Sequence, residues 1–164
     1  MCDDSETTLE GEILHSIHVS GHGLDFSSAH FVESAGICET LHGHNYDVDI
    51  VIAGPLDDDG MVVDFTEIKD TIRCMCKELD HKILLPGKSK TIDVKESKES
   101  VEVKIKSKRY VFPPEDCVIL PIIATTVELL AEYFVTSLEF PDEYSIKLCV
   151  SESDGATGCF SFPD

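Results

Sequence analysis

Tyr46, Val48, Ile50 and Ile52 alternate with Asp47, Asp49 and Val51, and this run constrains the fold more than any other segment. Successive strand side chains point to opposite faces, so a segment of this kind buries one face and pairs through its edges. Tyr144, Ile146, Leu148 and Val150 repeat the pattern near the C-terminus. Two stretches of helical period lie between them. Asp64 reads as an N-cap with Glu67 three residues on, ahead of Ile68, Ile72, Met75 and Leu79, and this helix should end near Asp80-His81. Thr125 and Glu128 make a capping-box pattern before Leu130, Phe134 and Leu138, and Pro141 stops that helix. Glu12–Ser20 reads as a strand with Ile13, Ile17 and Val19 on one face, and Phe26–Phe31 as the next after Gly21 and Gly23. Residues 33–41 read as a loop, residues 54–60 as a turn and Gly158–Phe162 as a last strand. The order strand-strand-helix-insert-helix-strand-strand, with no strand–helix–strand repeat, predicts an α+β fold on an antiparallel sheet.

The chain of 164 residues is long enough for one domain with a real core. Residues 1–11 are acidic and polar and are expected to form a loose tail, leaving 12–164 as the domain. Within it, residues 91–112 alternate as TIDVKES, VEVKIK and RYVF, which predicts a hairpin-like insert of two or three strands over 87–117. The formal net charge of −19 disfavours a nucleic-acid partner, yet nine of the 13 Lys and Arg residues lie between Lys82 and Arg109. That basic island reads first as a solvated face, and second as a docking surface for a phosphate or an acidic partner. No apolar run is long enough to predict a membrane span, and the N-terminus lacks the regions of a signal peptide, so a cytoplasmic location is expected. Seven cysteines occur without a CxxC pair, which argues against a four-cysteine zinc site. In a reducing compartment a disulfide framework is not expected, and most of these cysteines read as small buried hydrophobes.

His42 and His44 stand two apart at the start of a strand, so both imidazoles share one face, and Gly43 between them permits close backbone approach. His30 ends FSSAH on the preceding strand, and antiparallel pairing would let it complete a facial triad. Three histidines leave the fourth tetrahedral position of a zinc ion open, as a catalytic site requires. His15, His18 and His22 offer no second cluster and read as ordinary strand or loop residues. Cys38 lies four residues before His42, where a nearby cation would lower a thiol's pKa; it reads equally as a base or nucleophile and as a structural cysteine. Asp80 followed by His81 reads as a carboxylate orienting an imidazole through a turn, or as a helix C-terminal cap.

FSSAH (26–30), Cys38-x-x-x-His42-Gly43-His44-Asn45-Tyr46, MVVDF (61–65), Leu79-Asp80-His81-Lys82, Thr126-x-Glu128 and Glu152 occur in one order across the chain. Together they resemble the 6-pyruvoyl-tetrahydropterin synthase family, which includes the 6-carboxytetrahydropterin synthases of queuosine and archaeosine biosynthesis. The resemblance implies the tunnelling fold, an antiparallel four-stranded sheet with two helices on one face, assembled as trimers or hexamers with active sites at subunit interfaces. It implies Zn2+ on His30, His42 and His44, and Cys38 as the base, with Asp80 and His81 tuning and relaying the proton. Glu152 would anchor the pterin ring, and Thr126 and Glu128 would stand near the pterin pocket.

The Cys-x3-HGH spacing looks like the carboxytetrahydropterin branch. That implies conversion of 7,8-dihydroneopterin triphosphate to 6-carboxy-5,6,7,8-tetrahydropterin, with loss of acetaldehyde and triphosphate. Three departures from the pattern bear on this. Glu39 directly follows Cys38, and some relatives use a glutamate in this loop to cleave dihydroneopterin to 6-hydroxymethyl-dihydropterin. The 87–117 link is longer than in compact members, and Leu129 stands where many have Asn. A triphosphate would also meet long-range repulsion from the acidic molecule, which the basic insert could offset locally. A 6-pyruvoyl product, a non-catalytic pterin-binding module and a purely structural zinc staple stand as alternatives.

Overall fold

The computed structural model describes residues 15–34, 37, 38 and 40–162. The tail expected over residues 1–11 lies outside them. The alternating run at Tyr46 belongs to the longest strand, β5 (His42–Gly54), with Tyr46, Val48, Ile50 and Ile52 all buried. On one side β5 pairs antiparallel with β2 (Asp25–His30) and, further along, with β1 (His15–Val19). On the other it pairs antiparallel with β11 (Ser145–Ser153), which pairs with β12 (Ala156–Phe162). Between β2 and β5 the chain forms a two-residue-per-strand hairpin, β3 (Glu33–Ser34) and β4 (Ile37–Cys38), where a loop is expected.

The expected four-stranded antiparallel sheet is corrected to a seven-stranded mixed one. Beyond β2 lie β6 (Lys82–Pro86) and β10 (Cys117–Leu120), each parallel to its neighbour, giving the order β10-β6-β2-β5-β11-β12 with β1 beside β5. These two strands escape a search for alternation because β6 is buried on both faces. Leu84 enters one core and Leu85 the other, both fully buried.

Both helices pack on one face of this sheet. α1 (Phe65–Leu79) is capped by Asp64, whose Oδ1 accepts from the Thr66 N–H at 2.6 Å. Its buried stripe is Ile68, Ile72, Cys76 and Leu79, so Cys76 takes the place expected of Met75, which packs at the margin. α2 (Val127–Thr136) buries Leu130, Ala131, Phe134 and Val135 against the same core. Each of the Ile, Leu, Phe and Val side chains among these contributes about 1.5–3 kcal/mol through removal from water. Gly158 on β12 lets the start of α2 sit directly on the sheet, since a Cβ there would lie 2.7 Å from the Glu128 nitrogen.

The insert forms a separate antiparallel sheet of β7 (Ile92–Glu96), β8 (Val101–Ile105) and β9 (Lys108–Phe112). A short 3-10 turn at Pro114–Asp116 leads from it into β10. Ile92, Val101, Val103 and Ile105 pack with Phe31 and Leu85 into a second core on the face of the main sheet away from the helices. One cysteine expectation needs correction. Cys149 and Cys159 are register partners across β11–β12 and are joined by a disulfide. The chain reverses at Asp154-Gly155, with Gly155 at φ +84, and this turn brings the two residues opposite each other. Cys76 is buried as expected, whereas Cys74 is exposed.

Candidate metal centre

Strand parity places the three histidines. In the β2–β5 ladder His30 is the partner of His42, and Ser28 is the partner of His44. His42 and His44 therefore share the face on which His30 stands, and their ligand atoms all lie within 4.8 Å of one another. The ring centroids are 4.6 Å apart for His30–His42, 5.3 Å for His30–His44 and 5.0 Å for His42–His44. Gly43 makes the approach possible, because a Cβ there would sit 2.9 Å from the Ser28 carbonyl oxygen. Among the described residues this is the one group of three or more His, Cys, Asp or Glu side chains arranged to hold a metal ion. His18 instead pairs with Asp49 at 3.0 Å on the exposed strand surface.

The outer nitrogens are anchored. His30 Nδ1–H donates to the Thr125 carbonyl at 2.8 Å, and His42 Nδ1–H donates to the Thr40 carbonyl at 2.8 Å. Each bond fixes the tautomer and turns Nε2 inward, the outer support that metal-ligating imidazoles require. His30 Nε2 and His42 Nε2 then face each other at 3.1 Å. Two lone pairs at that distance repel unless a proton or a cation lies between them. Burial pushes the His30 imidazole below its ordinary value, and His42 and His44 push the same way against the Thr125 hydrogen bond. Protonation is therefore disfavoured, and a metal ion suits the arrangement. Tetrahedral zinc with nitrogens about 2.0–2.1 Å away would space them roughly 3.4 Å apart, close to what is found.

Three contributors were not expected from sequence: Thr125, Thr40 and Tyr46. The capping box is not formed. Thr126 is the N-cap of α2, without a side-chain hydrogen bond, and Glu128 is exposed in the first turn. Thr125 is fully buried, and its hydroxyl donates to the Phe31 carbonyl at 3.1 Å. Thr125→Val would leave that carbonyl unpaired, so a loss of about 1–2 kcal/mol is expected in urea unfolding. Tyr46 shares the histidine face two residues after His44, and its Oη lies 3.3 Å from His30 Nδ1. Only its parity signalled it.

Glu152 stands beside the cluster, its Oε2 3.9 Å from His44 Nε2. The β11–β12 register slips between Ser151 and Ser153, and this bulge sets Glu152 off the ladder. Glu152, Ser151, His44, Asn45 and Asp47 line one cavity of about 510 Å3. A second, of about 690 Å3, is lined by Ser27, His44, Asn45, His81, Lys82 and Asp116 among others.

Asp80 and His81 meet through a turn, as their adjacency demands. His81 takes a left-handed φ of 58°, its N–H donates to the Ser27 carbonyl at 2.7 Å, and its Nδ1 lies 2.8 Å from Asp80 Oδ2. The Ser27 N–H donates to Asp80 Oδ1 at 2.8 Å. That bond first, and His81 second, hold the Asp80 carboxyl below its ordinary value of 3.8. A lowered folded value means stability fully present above the ordinary range and lost as pH falls through the folded value. Urea midpoints followed into the acid range should therefore decline less steeply for Asp80→Asn than for the unaltered chain. The His81 side chain is 83% exposed. Cys38 lies on β4 with Glu33 as its register partner, and its side chain, like the whole of Glu39, falls outside the described residues.

A family profile described as 6-pyruvoyl tetrahydropterin synthase matches residues 22–157. A Methanocaldococcus jannaschii protein named putative 6-carboxy-5,6,7,8-tetrahydropterin synthase is 35% identical over 155 residues, which cover 90% of this chain and 93% of that one. The solved Plasmodium falciparum 6-pyruvoyl tetrahydropterin synthase superposes with a TM-score of 0.82 at 30% identity, covering 90% of this chain and 97% of that one. A Plasmodium vivax 6-pyruvoyltetrahydropterin synthase, solved with a glutamate described as its catalytic residue changed to alanine, gives a TM-score of 0.82 at 28% identity, covering 92% and 98%. Among the described residues, no helix is long and apolar enough to cross a membrane.

Proposed function

This chain belongs to the 6-pyruvoyl tetrahydropterin synthase family, and from that premise we propose that it is a zinc-dependent lyase of the carboxytetrahydropterin branch. The reaction is conversion of 7,8-dihydroneopterin triphosphate to 6-carboxy-5,6,7,8-tetrahydropterin, with release of acetaldehyde and triphosphate. The observation that carries this reading is the three-histidine cluster with the Glu152 carboxylate 3.9 Å from His44. A metal-binding group and an acceptor for ring N–H groups then stand within one substrate's reach. The name of the archaeal relative supports the branch.

His30, His42 and His44 would hold the zinc, which when bound would act as a Lewis acid on the side-chain oxygens of the substrate. Glu152 accepts hydrogen bonds from the amino and ring N–H groups of the pterin, with Thr126 and Glu128 at the edge of its pocket. Cys38 removes a proton from the substrate side chain. Asp80 holds His81 in one tautomer, and His81 relays the proton. The wide exposure of His81 supports a site completed between subunits of a homotrimer or hexamer, since an exposed imidazole is available to a neighbouring chain.

Incubation with 7,8-dihydroneopterin triphosphate should yield acetaldehyde and triphosphate in equal amounts. The same assay with unphosphorylated dihydroneopterin tests a second reading. Glu39 adjoins Cys38, and the Plasmodium vivax relative has a catalytic glutamate. Formation of 6-hydroxymethyl-dihydropterin alone would overturn the carboxytetrahydropterin assignment in favour of side-chain cleavage by Glu39, and a 6-pyruvoyl product would move the chain to the biopterin-type branch.

A further inference from the structure

We propose that the three-stranded insert holds the Cys38 hairpin in place, with Lys106 as a positioning residue acting through Glu33. The role of Lys106 in turnover rests on the function proposed above; its hold on the hairpin does not.

Between the ligands His30 and His42 the chain leaves the main sheet, and both ends of this excursion are seated in the insert's core. Phe31, 1% exposed, packs against Tyr110 with ring centroids 4.9 Å apart, and Leu41 packs against the same cluster. Glu33, two residues after Phe31, is held by charge. Glu33 Oε1 lies 3.9 Å from Lys106 Nζ, while Glu33 Oε2 is buried without a hydrogen-bond partner. Lys106 sits at the tip of the β8–β9 hairpin with a left-handed φ of 53°, the turn conformation that carries it beyond the end of its strand. The other described ion pairs of the insert close within it: Lys95 with Asp93, and Lys104 and Arg109 with Glu102. Lys106–Glu33 is the described ion pair that joins the insert to the hairpin.

Glu33 is the direct backbone partner of Cys38 in the β3–β4 ladder. A force on Glu33 is therefore a force on the strand that carries the cysteine. A half-buried carboxylate with one unpaired oxygen depends on its cation, and removal of Lys106 leaves that charge uncompensated. The predicted result is displacement of the hairpin while the histidines remain in place, His30 anchored by Thr125 and His42 and His44 held in the β2–β5 ladder.

The test compares Lys106→Met, Glu33→Gln, the double variant and the charge swap Lys106→Glu with Glu33→Lys. Lys106→Met should lower kcat about tenfold with KM and bound zinc unchanged, because a small displacement of a reacting group costs one to two orders of magnitude. Lys106→Arg and the charge swap should recover most of that loss, and the double variant should fall no further than either single one. A second readout is independent of activity. In zinc-free protein, the rate at which iodoacetamide modifies Cys38 should change at least about threefold after Lys106→Met, as the backbone ladder partner of Glu33 shifts. The Cys117 peptide, which reports on the insert's core, should react unchanged. A kcat within twofold together with unaltered Cys38 modification would overturn the proposal. If the unaltered chain turns over no dihydroneopterin substrate, the functional reading fails and the modification rate alone decides. If Lys106→Met does not fold, Glu33→Gln carries both readouts.

Discussion

His42→Ala should reduce bound zinc from one ion per chain to a trace and lower turnover by at least about a thousandfold. His42 is the informative ligand to remove. His30 is 1% exposed and fixed to Thr125, so its truncation would combine loss of the metal with a cavity in the core. His42 is half-buried at the mouth of the cluster, and its removal leaves the packing intact. Two imidazoles on a flat sheet face cannot enclose zinc without its third ligand. Metal analysis of the purified variant gives the first number and the acetaldehyde assay the second. The same experiment separates a catalytic ion from a structural staple. The main core, from Val19 to Val150, contains none of the three histidines, so stripping the metal from the unaltered chain should leave it folded. Only the linkage term should be lost, about 4 kcal/mol at a zinc concentration a thousand times Kd.

Cys38→Ala should cost acetaldehyde release about a thousandfold while zinc content stays at one per chain, since a positioned base or nucleophile contributes on that order. Glu39→Ala should change the rate by no more than about threefold, the effect of a nearby charge that takes no part in the chemistry. The pair is decisive because the two residues adjoin and carry different chemistry. A thiol and a carboxylate at one loop offer two bases of different strength for the same substrate. The reverse outcome, with activity lost in Glu39→Ala and only mildly lowered in Cys38→Ala, would assign the chemistry to the carboxylate. Product identity should follow the same division.

The parts of the fold that were legible in sequence are those with one wet face. β5, β11, α1 and α2 each alternate between a buried and an exposed surface, so their periods are visible. β6 and β10 are not legible because a strand between two cores has no polar side to mark its period. The histidine cluster was legible for a related reason: parity placed His42 and His44 together, and antiparallel pairing delivered His30. Thr125 misled because Thr and Glu at a spacing of three satisfy a capping box locally, whereas the tertiary structure uses that threonine to fasten α2's entry to β2. The disulfide was hidden by an argument about compartment, although the turn at Gly155 already put Cys149 and Cys159 in register. Glu152 needed a bulge to reach the cluster, and bulges leave no mark in a hydrophobic pattern.

The main sheet has helices on one side and the insert on the other, and His30 and Phe31 are consecutive residues committed to opposite sides. A residue of the candidate metal centre and an anchor of the second core are thus separated by a single rigid peptide plane. Substitutions that reshape the insert's interior, at Val103 or Ile105 for example, tilt that plane as a seesaw tilts about its pivot. Variation inside the insert is thereby coupled to His30 while every residue lining the cavities beside the histidine cluster stays unchanged.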